Sequence, residues 1–86
     1  MYFVYVLFSE VHDRHYVGLT SNINLRLKQH NLGLNSSTKA FVPWFVVHSE
    51  IFNSRTIARE REKYLKSAAG RRWRKENINW PRGATE

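Results

Sequence analysis

The sequence predicts an α+β fold: a three-stranded, mostly antiparallel sheet flanked by helices, in the order β-β-α-β-α-α. Three observations lead there. Residues 2–9 and 15–19 are rich in β-branched and aromatic side chains and are separated by a short polar loop. A third run of this kind begins at Pro43. Apolar residues then recur at helical spacing after Thr20 and again after Asn53.

The first strand, residues 2–9, is apolar on both faces, as a central strand should be. Residues 10–14 form a hairpin loop, so the second strand, His15–Leu19, pairs antiparallel with the first. Gly18 inside that strand marks a bulge or a place where another group approaches the backbone. A hairpin centred on residues 10–11 would set Tyr5 directly opposite Tyr16.

Thr20, Ser21 or Asn22 can cap the first helix, and Gly33 stands where a C-terminal glycine belongs. Ile23, Leu27, His30 and Leu34 share one face of it. A polar loop at 35–39 leads to Pro43, which suits the first residue of a third strand through His48 with a tail to Phe52. Asn53 and Ser54 open the next helix, to about Ser67, with Ala58, Glu62, Leu65 and Ala69 on one face. Gly70 should interrupt it, leaving Arg71–Asn77 as a short basic helix. The expected organisation is one domain over 1–77 with an irregular tail over 78–86.

With 86 residues there is space for one small core; such chains bury roughly 60–65% of their unfolded surface. A hydrophobic fraction of 42% argues against disorder despite the formal charge of +7. The chain has no cysteine, which excludes disulfide scaffolds, thiol nucleophiles and Cys-based zinc sites. His12 and His15 have no third ligand nearby to complete a zinc site. No phosphate-binding or dinucleotide glycine loop and no G-x-S-x-G elbow is present, so no organic cofactor is expected. The apolar N-terminus lacks a basic leader and a cleavage site, and no run is long enough for a membrane helix. A soluble, cytoplasmic protein with no membrane partner is expected. Nine of the 14 Lys and Arg residues fall between Arg55 and Lys75, against only Glu60 and Glu62, which favours a polyanionic partner.

Some polar residues fall where the pattern expects packed positions. Tyr5 and Tyr16 lie on adjacent strands, and Arg26 and His30 project from one side of the first helix. Glu62 lies in line with Ala58 and Leu65 on the packed face. A carboxylate there needs a cation: a salt bridge to Arg26, or a hard divalent ion such as Mg²⁺ or Mn²⁺ completed by water.

These residues, in this order, resemble the GIY-YIG nuclease superfamily, specifically its small single-domain UPF0213 or YhbQ-like members. Phe3-Val4-Tyr5 stands for the first triplet, with Phe and Val in place of Gly and Ile. Tyr16-Val17-Gly18 stands for the second. Arg26 and His30 match the Arg and His of the following helix. Ser37-Thr38-Lys39, Pro43-Trp44 and the set Ala58, Glu62, Lys63, Lys66 complete the match, over about residues 2–75. Larger members use a downstream Asn; Asn77 and Asn79 lie beyond its expected place and are not assigned that role.

The resemblance implies a metal-dependent endonuclease that hydrolyses phosphodiester bonds, in DNA more than RNA, with a preference for single strands. Glu62 would hold one Mg²⁺ or Mn²⁺, and Arg26 would orient the scissile phosphate. Tyr5 or Tyr16 would help to deprotonate water, with His30 as orienter or proton relay. Lys39, Lys63, Lys66, Arg71, Arg72 and Arg74 would hold the strand. A homodimer is compatible with so small a domain. The alternatives are a non-catalytic nucleic-acid-binding module on the same fold, with Trp73 and Trp80 stacking on bases, and a domain for an acidic protein partner.

Overall fold

The computed structural model describes residues 1–81. The elements are β1 (Tyr2–Ser9), β2 (Arg14–Thr20), α1 (Ile23–Asn31), a 3₁₀ turn (Lys39–Phe41), β3 (Phe45–Phe52), α2 (Arg55–Lys66) and α3 (Ala68–Asn77). The expected fold class and element order are therefore found. The sheet runs β2-β1-β3 with both pairings antiparallel.

β1 is central because its alternating side chains are apolar on both faces. Val4 and Val6 point into one core with Val17, Ala58, Leu65 and Ile78, under α2 and α3. Tyr5 and Leu7 point into a second core with Trp44, flanked by Ile23 and Leu27 of α1. The sheet thus separates α1 from the α2–α3 pair. The lone register shift lies between β1 and β3, at Val6/Leu7, and not at Gly18.

The hairpin differs from its expected register. Arg14 joins β2 and pairs with Ser9, leaving Glu10–Asp13 as the loop. Asp13 takes a left-handed backbone (φ 51°), which an Asp tolerates in a turn. Tyr5 therefore faces Gly18, and Tyr16 faces Leu7. The shift is even, so both tyrosines stay on one face as diagonal neighbours, ring centroids 6.4 Å apart.

α1 is capped by the Asn22 side chain, which accepts from Leu25 N–H at 3.1 Å. It ends with Leu34 N–H on the Gln29 carbonyl and Gly33 N–H on the His30 carbonyl, Gly33 at φ 78°. That turn carries Leu34 off the helix face, and it is exposed rather than packed as its spacing predicts.

The break between α2 and α3 is at Ser67, not Gly70. The Ser67 hydroxyl donates to the Tyr64 carbonyl at 2.6 Å and accepts from Gly70 N–H at 3.1 Å, closing one helix and opening the next. Gly70 sits buried in the first turn of α3, where a Cβ would overlap the Tyr64 carbonyl. Ala69 consequently belongs to a different helix from Ala58, Glu62 and Leu65, and it is exposed while they are buried. After α3, Ile78 enters the core and the Trp80 indole donates to the Arg74 carbonyl at 3.2 Å. The expected irregular tail also covers residues 82–86, which lie outside the described residues.

Candidate active site

The Tyr5 hydroxyl is the centre of the site. It is buried on the α1 face and lies directly across the ladder from Gly18. A Cβ at position 18 would overlap that hydroxyl and ring, so glycine there gives the phenol its place. This is the close approach that a glycine within the strand foretold.

His30 projects from α1 onto the same hydroxyl, with Nε2 3.1 Å from the Tyr5 oxygen. Its Nδ1 lies 2.8 Å from the Thr38 hydroxyl. Tyr16 packs edge-on to His30, centroids 4.9 Å apart. Burial, with the Arg26 charge adding to it, lowers the His30 pKa and keeps the ring neutral. Burial also pushes the Tyr5 hydroxyl up to about 12. Arg26 pulls in the opposite direction, while Tyr16 and Glu62 raise it.

Arg26 is half-buried, its Nη1 donating to Gln29 Oε1 at 3.2 Å. Among the described residues no carboxylate pairs with it. The alternative of a Glu62–Arg26 salt bridge is thus not what forms. Glu62, only 6% exposed, instead pairs with Arg59 at 3.3 Å and Lys66 at 3.1 Å. Both partners are long and at least half exposed, so they can leave the carboxylate at little cost. Among the described residues no three carboxylate or imidazole side chains cluster as metal ligands. A single carboxylate fits a hard divalent ion that keeps most of its ligands as water.

From Tyr16 an open cleft of about 820 Å³ runs along the edge of β2 and the side of α3. Arg14, Lys66, Arg71 and Lys75 line it, and the Trp80 ring closes one wall, stacked 4.3 Å from His15. Lys66 and Arg71 thus belong to a single basic wall. Arg72 does not line this cleft but sits beside Arg71 and Lys75 in a neighbouring groove and reaches toward Tyr64 and Glu76, while Lys39 and Lys63 are exposed outside the cleft. Arg74 is buried, its Nε donating to the Leu65 carbonyl at 3.0 Å, so it ties α3 to the end of α2.

Thr38, Arg14 and Lys75 were not singled out by reasoning on the sequence alone. Lys75 sits at the end of the basic block, and Thr38 lies inside a motif noted only for its order. His12 packs on Phe41 and His15 on Trp80, and among the described residues neither belongs to a cluster of three possible metal ligands.

Comparison with known proteins accords with this arrangement. The model of the GIY-YIG catalytic domain matches residues 1–77. The UPF0213 protein of Natronomonas pharaonis is 36% identical over 67 residues, covering 77% of this chain and 78% of its own. No solved structure matches the chain. The match spans the strands and helices that carry the two triplets, the Arg and His of α1 and the buried Glu of α2, and the chain belongs to the GIY-YIG family, whose catalytic domain is of a nuclease type.

Proposed function

We propose that this chain is a divalent-metal-dependent endonuclease that hydrolyses phosphodiester bonds in DNA, single-stranded DNA in preference. The observation that carries the reading is the buried cluster of Tyr5, His30 and Tyr16, whose Tyr16 also lines a basic cleft shared with Lys66, the partner of the buried Glu62. A pure binding surface has no use for a buried carboxylate among cations.

Arg26, free of a carboxylate partner among the described residues, orients the scissile phosphate and offsets the charge that builds in the transition state. Tyr5 is too weak an acid to stand as a phenolate near neutrality. It works as a relay: its oxygen takes a proton from the attacking water as its own proton passes to His30 Nε2. Tyr16, at the cleft mouth, orients that water. Glu62, once released by Lys66 and Arg59, would hold one Mg²⁺ or Mn²⁺, which supplies Lewis-acid stabilisation of the phosphate and leaving oxygen. Lys66, Arg71 and Lys75 hold the flanking strand, with Arg14 on the opposite wall.

A second reading, a non-catalytic nucleic-acid-binding module, draws support from the two cations already seated on Glu62. One assay separates the two. Labelled single- and double-stranded DNA and RNA are incubated with the protein in Mg²⁺, Mn²⁺ or EDTA. Cleavage with metal and none in EDTA is expected. Binding without cleavage in every arm favours the second reading.

A further inference from the structure

We infer that Thr38 is a positioning residue that holds His30 in the tautomer protonated on Nδ1, so that Nε2 is left bare to accept from Tyr5. The inference rests on the nuclease reading for its consequence, but its structural content stands on hydrogen bonding alone.

The direction of the chain is set from the Thr38 end, while at the other end the Tyr5 hydroxyl, which can donate or accept, lies 3.1 Å from His30 Nε2. The Thr38 hydroxyl is 3.4 Å from the Asn35 carbonyl, which can only accept. The Thr38 proton goes there, and its oxygen receives Nδ1–H of His30 at 2.8 Å. With Nδ1 carrying the proton, Nε2 is left to accept from the Tyr5 hydroxyl. His30 and Thr38 are both fully buried, so no solvent competes for these bonds.

The rest of the loop holds Thr38 in place. Asn31, the residue after His30, accepts from Trp44 N–H at 2.7 Å and donates to the Trp44 carbonyl at 3.1 Å. The Trp44 indole in turn donates to the Thr38 carbonyl at 2.9 Å. The path from His30 through Asn31, Trp44 and Thr38 returns to His30 and closes on itself. It gives the Ser-Thr-Lys and Pro-Trp segments a physical role: they fasten the loop over the imidazole.

The balance of the step follows. Water loses a proton to the Tyr5 oxygen, the Tyr5 proton moves to His30 Nε2, and the imidazolium keeps its Nδ1–H on Thr38. With the opposite tautomer Nε2 already carries a proton and the relay has no terminus.

The test uses the full chain and two variants. Nitrogen-15 NMR of the wild-type protein should show a protonated Nδ1 and an unprotonated Nε2 on His30. Thr38→Val, nearly isosteric but without the hydroxyl, should lose that single tautomer and lower kcat about tenfold or more, with KM little changed. Thr38→Ser should restore both. A wild-type ring protonated on Nε2, or a Thr38→Val protein with the wild-type spectrum, overturns the inference. So does Thr38→Val with unaltered kcat in a protein that cleaves. A wild-type protein that cuts nothing overturns the nuclease reading instead, while the spectra still decide the tautomer.

Discussion

The Tyr5 side chain occupies the space that any side chain at Gly18 would need, directly across the β1–β2 ladder. The relationship is reciprocal. Tyr5 can reach His30 and Arg26 only over a bare backbone, and Gly18 is tolerated in a strand because the phenol covers it. Gly18→Ala is therefore expected to displace the phenol, destabilise the fold by about 1–3 kcal/mol, and lower cleavage far more than Tm. Denaturant unfolding and kcat/KM on the same preparation check it. An unchanged kcat/KM would remove the Tyr5 hydroxyl from the chemistry.

Glu62→Ala separates metal chemistry from binding. Its partners Lys66 and Arg59 extend into solvent, so their release leaves no buried charge behind. Cleavage with Mg²⁺ should fall by about a hundredfold or more while DNA binding holds. Full cleavage by this protein would end the metal assignment.

Arg26→Lys keeps the charge and loses the planar fork. Because Arg26 has no carboxylate partner among the described residues, its loss should affect the reaction rather than the fold. A drop in kcat without a shift in Tm is expected; recovery of wild-type kcat by Lys would show that charge alone suffices.

The double variant Arg71→Ala/Lys75→Ala removes two cations from the cleft wall. Binding of single-stranded DNA should weaken, and the slope of log K against log salt should flatten by about 1–2. Lys63→Ala, exposed on α2 and outside the cleft, serves as the control and should change the slope less.

Glu50 makes acid stability testable away from the site. Burial opposes its charged form, but Arg61, bonded at 2.8 and 3.0 Å, and His48 at 2.7 Å together hold its pKa below the usual carboxylate value of 4.5. A carboxyl depressed on folding adds stability that is fully present above its unfolded pKa. That contribution is lost as pH falls through the folded value. Wild-type Tm should thus decline below about pH 4.5 more steeply than that of Glu50→Gln, as thermal melts from pH 7 to pH 3 would show.

Much of the site was legible because local chemistry leaves marks at fixed spacing. An Arg and a His four apart share a helix side, and a Glu among Ala58 and Leu65 announces a buried carboxylate. The partner of that carboxylate was not legible. Arg59 and Lys66 lie within about one turn of Glu62 and reach it first, leaving Arg26 without a carboxylate partner among the described residues. The role of Arg74 was hidden for a similar reason: only the fold brings the Leu65 carbonyl to its guanidinium.

The sequence by itself determined the element order, the central place of β1 and the basic side of the molecule. Alternation, capping residues and composition act locally and are written in neighbouring positions. Tertiary structure alone decided the register that sets Tyr5 over Gly18, and the division of cations between Glu62 and the cleft. It also decided the ring of bonds from Asn31 through Trp44 and Thr38 to His30. Each of these depends on atoms distant in sequence meeting within hydrogen-bond or van der Waals reach. A left-handed Asp13, or a loop folded back over a histidine, leaves no periodic trace in the chain.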